Sequence, residues 1–366
     1  MKPARLDIYR TAIAMRSFEH AAASRNLAEA VVVRLELDDG SVGWGETLPR
    51  PYVTGETLDS VIDDLRQTFW PAVTGVALSR GGPLPELPHT VAGRCVNAAR
   101  CALELALFDA LGEAPRRPIA ARVSGVLGSA DPAKTSKRLK LMWWYGLRDF
   151  KLKLGFGEQT DSDNLRIAHR RLGRAISRGK ASLRVDVNGG WDADTTPHRV
   201  KALEQYGVGV VEQPVYCSAP ELVELAKRCA LPLMADESLL TLDDAQVLLA
   251  EPARIAWNIR ISKNGGILAA ARLAELAAQH GVLTTIGAMV GESSLLSAGQ
   301  RRLLQMIPQP RFVEGNYGRF LLADDLTHKS LRFGYGGRLK ALKGSGLGVR
   351  VEQAKLAAFG SLIERC

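Results

Sequence analysis

Residues 150–155 read FKLKLG, 183–188 LRVDVN, 210–214 VVEQP, 233–238 LMADES and 258–266 NIRISKNGG. Each is a short apolar run that ends on a charge. Lys153, Asp186, Glu212, Asp236 and Arg260 follow one another at gaps of 33, 26, 24 and 24 residues. A strand, a helix and two turns fill such a gap, so the beat reads as successive βα units with a charged residue at each strand tip.

The same grammar extends on both sides. Candidate strands fall at 121–127, 149–153, 182–186, 208–212, 232–236, 255–260, 283–287 and 311–314, with helical apolar stripes between them. Ile267, Leu268, Ala271, Leu273, Ala274 and Leu276 form one such stripe, and Leu222, Val223, Leu225 and Ala226 another. Eight units suit an α/β fold of the (β/α)8 or (β/α)7β TIM-barrel type, which usually needs roughly 250 residues. Upstream, Ala30–Leu37 is β-rich, and Asp39-Gly40 signals a hairpin into Val42–Gly45. Helical spacing follows from Glu56, and again from about Asn97 to Leu111. The expected organisation is an α+β capping domain at 1–115, a barrel at 116–320, and a Gly-rich extension at 321–366 that packs back on the cap.

The chain has 366 residues, 46% hydrophobic and 24% charged, which is a globular composition with ample material for a core. No apolar run reaches membrane-spanning length. MKPARLDIYR at the start lacks a signal-peptide core, and the five cysteines are scattered. A reducing, cytoplasmic setting is therefore expected, without disulfides or zinc. The net charge of +9 suits an anionic substrate. The densest basic run is Arg170, Arg171, Arg174, Arg178 and Lys180, which shares a helix with Ile167, Leu172 and Ile176. It reads as a solvated face, and no aromatic interleaving points to nucleic acid. GSGLG at 344–348 lacks the Lys-Ser/Thr of a phosphate loop and reads as a turn.

Strand tips of a barrel converge on one mouth, at its C-terminal face. Asp186, Glu212 and Asp236 there would repel one another unless a cation lay between them. Oxygen-only ligands favour a hard cation, Mg2+ first and Mn2+ second. Asn188 shares a strand face with Asp186 and could meet substrate or a metal-bound water. Glu237 fits a supporting role. Lys151 and Lys153 alternate onto one face, so both enter the mouth. Burial near a dication disfavours their charged form, which is how a lysine becomes a base near neutral pH.

KLKLG, RVDVN followed by Trp191-Asp192, VEQP, ADES and SKNGG together resemble the enolase superfamily in its muconate lactonizing enzyme-like subgroup. VGWGE at 42–46, PYVTGET at 51–57 and ALELALFDALG at 102–112 are similar to that family's capping domain, so the likeness covers nearly the whole chain. The resemblance implies Mg2+ on Asp186, Glu212 and Asp236. It implies Lys153 as acid/base catalyst, with Lys151 as its electrostatic partner, acting on a carboxylate substrate through an enediolate. The mandelate racemase subgroup fits less well, because TTIGAMVGES lacks the histidine base.

The pattern breaks at Arg260, where the subgroup carries a second catalytic lysine in a KxxKxGG context. Arginine stays protonated and is a poor base. Three readings follow. In the first, Lys153 alone performs syn elimination or cycloisomerisation, while Arg260 stabilises the enediolate. In the second, Lys263 supplies the other base of a racemase or epimerase acting on an N-acyl amino acid or dipeptide. The third is a non-catalytic metal-binding descendant. Glu292 after the seventh strand and Glu314 at the eighth are further candidates for contact with substrate or Arg260. His20, Arg25 and Tyr52 lie in segments similar to cap loops that close over substrate. The expected partner is a small anionic carboxylate, with no nucleic acid or membrane, and a homo-oligomer is compatible with the chain.

Overall fold

The structure is a computed structural model. It describes every residue except Ala21, Ala22, Ala114 and Arg116; for residues 17–20, 23–25 and 319 it describes the backbone alone. The N-terminal part is a meander of β1 (Pro3–His20), β2 (Ala23–Leu37) and β3 (Val42–Thr47), all antiparallel. Short helices α1 (Pro51–Thr54), α2 (Leu58–Asp64) and α3 (Trp70–Val73) follow, then a small hairpin, β4 (Thr90–Val91) with β5 (Arg94–Cys95). The long helix α4 (Asn97–Leu111) packs on β2 and β3. Close approach there depends on glycine: a Cβ on Gly43 or Gly45 would collide with the backbone carbonyls of Ala106 and Ala102.

Eight parallel strands come next: β6 (Gly125–Leu127), β7 (Asp149–Lys153), β8 (Ser182–Asp186), β9 (Val208–Glu212), β10 (Leu233–Ala235), β11 (Ile255–Ile259), β12 (Thr284–Ile286) and β13 (Phe312–Val313). They lie in sequence order, and a parallel bridge between Val123 and Val313 joins the two edges. The helices between them are α5 (Pro132–Trp144), α6 (Glu158–Ile176), α7 (Thr196–Leu203), α8 (Ala219–Arg228), α9 (Leu242–Leu248), the one-turn α10 (Ile261–Asn264) leading into α11 (Ile267–Gln279), and α12 (Ser294–Met306). Among the described residues no α-helix covers β13, so the barrel is of the (β/α)7β kind. The next helix, α13 (Gln353–Phe359), contacts β1 and leads into β14 (Gly360–Arg365), which pairs antiparallel with β1. The last strand of the chain thus completes the first sheet, in the order β14-β1-β2-β3.

Side-chain hydrogen bonds tie cap and barrel together. Asn97 at the start of α4 donates to the Lys263 and Leu240 carbonyls at 2.8 and 3.0 Å. Thr47 at the end of β3 shares a hydroxyl hydrogen bond with Ser262 at 2.8 Å. Glu46 accepts from the Ser293 hydroxyl and the Leu296 amide, which fixes the start of α12. The basic residues of α6 named above are exposed. Among the described residues no helix is long and apolar enough to cross a membrane.

Candidate active site

Register aligns the key side chains in rows. Lys153 on β7 stands opposite Asp186 on β8, and Asp186 opposite Glu212 on β9. Met234 on β10 pairs with Glu212, so Asp236 lies two residues further up the next strand. Asp186, Glu212 and Asp236 are all fully buried. Lys151 donates to Glu212 at 3.1 Å and lies 3.4 Å from Asp186 and 2.6 Å from Glu314. Lys153 reaches Asp186 at 3.2 Å and the Asn188 side-chain oxygen at 2.8 Å. Arg260 lies against Asp236 in a close ion pair and 3.6 Å from Glu212.

These groups open onto a cavity of about 490 Å³, whose walls include Lys151, Lys153, Asn188, Glu237, Arg260 and Glu292. Glu314 and Tyr52 of α1 also line it. The side chains of His20 and Arg25 lie outside the described residues. β7 and β11 are four strands apart in an eight-stranded barrel, so Lys153 and Arg260 face each other from opposite sides of the mouth.

The charge states differ from group to group. Burial would lower the Lys151 pKa, but Glu212, Glu314 and Asp186 overcome it and hold the ammonium well above its usual range. The burial effect expected to disfavour charge on such a lysine is thus outweighed at Lys151. Lys151 stays a cation because Glu314 arrives beside it from β13. Burial opposes ionisation of Asp186 too, yet Lys153, Lys151 and Arg260 hold its carboxyl well below the usual range. Glu212 is pushed up to about 7 by burial and by the Asp186 charge. Burial and Asp236 push Glu237 up to about 8. Burial likewise lifts Glu292 to about 8, against its bond from the Met289 amide. Arg260 is desolvated, but Asp236, Glu237 and Glu212 keep it firmly protonated.

Lys263 does not line the cavity. The chain turns at α10, and the fully buried ammonium points back beneath the site. It donates to the Asp236 carbonyl at 2.6 Å, the Asn258 carbonyl at 2.7 Å and the Asp236 carboxylate at 3.1 Å. With its donors engaged, Lys263 positions Asp236 and is not poised to take a proton from a ligand.

Several positioning residues escaped the sequence reading. Asn258 donates to Glu212 at 2.8 Å, and Arg184 holds Glu314 at 2.8 Å while lying 3.8 Å over the Phe312 ring. Strand alternation could have found both, since they lie two residues before Arg260 and Asp186. Gln213 accepts from the Asp236 and Ser238 amides. Its left-handed backbone, with φ of 35°, hides it from any alternation rule.

The donor set suits the expected hard cation: three buried carboxylates on adjacent strands, one of them raised by the charge of another. Among the described residues, however, no three His, Cys, Asp or Glu side chains already converge as a metal cage. The Arg260 guanidinium lies between Asp236 and Glu212, two of the three residues that would hold the cation.

Comparison with known proteins agrees with this architecture. Residues 5–122 match the family described as mandelate racemase / muconate lactonizing enzyme, N-terminal domain, and residues 134–355 match the enolase C-terminal domain-like family. The N-succinyl-L-Arg/Lys racemase of Bacillus cereus is 28% identical over 313 residues, 82% of this chain and 83% of that protein. Its crystal structure superposes with a TM-score of 0.84 at 24% identity, covering 100% of this chain and 99% of that one. The L-Ala-D/L-Glu epimerase of Bacillus subtilis is 28% identical, covering 79% of this chain and 81% of that protein. A chloromuconate cycloisomerase of Cupriavidus pinatubonensis is 27% identical over 90% of this chain and 91% of its own length. With both family patterns spanning the cap and barrel, the chain belongs to the enolase superfamily, in its mandelate racemase/muconate lactonizing enzyme group of isomerases and lyases.

Proposed function

We propose that Lys153 removes the proton alpha to the carboxylate of a small anionic substrate and passes it to the departing group on the same face, giving syn elimination, or, in a cycloisomerisation, gives its proton to the enediolate carbon formed by internal addition. The observation that carries this reading is the pairing of Lys153 with Arg260 across the mouth. One side bears an amine and the other a guanidinium held protonated by three carboxylates. Asn188 orients the Lys153 ammonium group through its side-chain oxygen. Lys151, kept charged by Glu212, Glu314 and Asp186, adds fixed positive potential beside it. Arg260 supplies a second cation to charge developing on the substrate carboxylate. Asp186, Glu212 and Asp236 would hold Mg2+, which when bound supplies Lewis-acid stabilisation of that carboxylate. Asn258 keeps Glu212 in place, and Gln213 and Lys263 keep Asp236 in place.

A second reading has its own support. The racemase and epimerase relatives favour racemisation or epimerisation of an N-acyl amino acid or dipeptide over the elimination and cycloisomerisation that the sequence put first. Opposed groups on the two faces of one carbon are also what a 1,1-proton transfer uses. In that case a proton carrier other than Arg260 must serve the second face. Glu292, which lines the same cavity with its carboxyl raised to about 8, is the candidate.

Incubation in D2O with Mg2+ separates the two. A panel of N-acylated amino acids, dipeptides and β-substituted carboxylates is followed by NMR and chiral chromatography. One-base chemistry gives loss of a leaving group, or deuterium uptake with retention. Deuterium uptake with inversion instead establishes the second reading and removes the first.

A further inference from the structure

The barrel is sewn shut unusually between its first and last strands. β6 and β13 meet through the Val123–Val313 bridge and the Ser124 amide, which donates to the Val313 carbonyl at 2.7 Å. Above that point a side chain replaces the ladder. The Tyr317 phenol accepts from the Val126 amide at 3.0 Å and donates to the Ser124 carbonyl at 2.9 Å. On the outside, α5 packs against β6, and the chain after β13 covers the other edge of the seam.

The catalytic cavity runs through this seam. At one end it is walled by Lys153, Asn188 and Arg260, and at the other by Met142, Tyr145 and Phe333. Met142 sits outside the sheet: a Cβ on Gly125 of β6 would lie 3.0 Å from its sulfur. The outer end is an aromatic box. Phe333 meets Tyr317 edge to face at 5.3 Å, Tyr145 edge to face at 5.9 Å, and Phe320 at 5.2 Å. Its rim is exposed apolar surface, with Phe320 39% and Leu141 67% accessible although both line the cavity. Water in contact with such a lining gains little, while a flat hydrocarbon group gains area and ring contacts together.

We propose that the seam between β6 and β13 is a subsite for a planar apolar group, an aryl or comparable hydrocarbon moiety, carried by the same molecule whose carboxylate lies between Lys153 and Arg260. The assignment rests on the reading that the reacting centre lies at the polar end of this cavity. The reactive carbon and the apolar group then sit in two differently built halves of one pocket. Specificity for the apolar half comes from α5 and the segment after β13, whose described residues make no hydrogen bond or ion pair to Lys153 or the three carboxylates.

Calorimetric titration of the full-length, Mg2+-loaded protein with butanoate and with 4-phenylbutanoate tests this without any turnover. The phenyl compound should bind about tenfold or more tightly. Met142→Trp, which fills the outer end, and Phe320→Asp, which places a charge on its exposed rim, should each bring the two ligands to nearly equal affinity. Equal affinities in the wild type, no binding of either ligand, or a phenyl preference that survives both substitutions would overturn the subsite. If the preference holds while no carboxylate exchanges its α-proton, the subsite stands and the proposed reaction falls.

Discussion

Arg260→Lys puts an amine where the chain carries a guanidinium. In the wild type the Arg260 side chain lies 3.6 Å from Glu212 and in contact with Asp236, with Glu237 adding to the field that keeps it charged. It can stabilise an anion but cannot take a proton from carbon. A lysine conserves the charge, so the carboxylates stay compensated, yet it can lose its proton. General acid–base catalysis from a placed amine contributes about 10²–10⁴ in rate. The wild type should therefore exchange the α-proton of one enantiomer faster than that of its mirror image by about that factor. The lysine variant should bring the two rates to within about tenfold of each other, the gain being entirely on the slow enantiomer. Arg260→Met is the control for charge. It leaves Asp236 and Glu212 short of a cation and should cost about 3–5 kcal/mol of stability, without opening the second face. The assay is deuterium incorporation by NMR on each enantiomer separately. Comparable exchange of both enantiomers by the wild type, or an unchanged ratio in Arg260→Lys, refutes the argument.

Other consequences follow from buried groups. Lys263→Met should lower unfolding free energy by about 3–5 kcal/mol in urea titrations, because it strands Asp236 and two carbonyls; a loss under 1 kcal/mol would contradict its positioning role. Tyr317→Phe should leave the Val126 amide and the Ser124 carbonyl unpaired, at about 1–3 kcal/mol each, and speed hydrogen exchange at Val126; unchanged protection there would remove the phenol from the seam. Burial raises the Glu46 carboxyl from 4.5 to about 7, so the folded state holds its proton more tightly than the unfolded chain. Its contribution is complete below pH 4.5, declines between 4.5 and 7, and is gone above. Relative to Glu46→Gln, the wild type should lose about 3 kcal/mol across that window; parallel stability profiles would show that Glu46 does not titrate there.

The barrel was legible where strand and charge coincide. Asp149–Lys153, Ser182–Asp186 and Val208–Glu212 are strands in the structure with the bounds the apolar alternation suggests. The first strand was expected over 121–127 but forms only at Gly125–Leu127; Arg122 and Val123 make single bridges to Arg338 and Val313. Nothing local to residues 121–127 signals those partners. The direct pairing of Lys151 with Glu314 was not legible, since Glu314 follows a strand more than 160 residues away in sequence. Lys263 shows the limit of alternation itself. Counting by twos ends where the strand becomes the α10 turn, which is closed by Gly265 in the left-handed region at φ 87°. Arg184 and Asn258 were available to the same counting rule, each two residues before a charge already singled out.

The most direct test is α-proton exchange in D2O by the wild type and Lys153→Ala, side by side, with Mg2+ present and on whichever carboxylate of the panel reacts. Lys153 as the base predicts a loss of about 10²-fold or more in the variant, with the fold and Mg2+ affinity retained. Exchange by Lys153→Ala within a few-fold of the wild type would contradict the account at its centre.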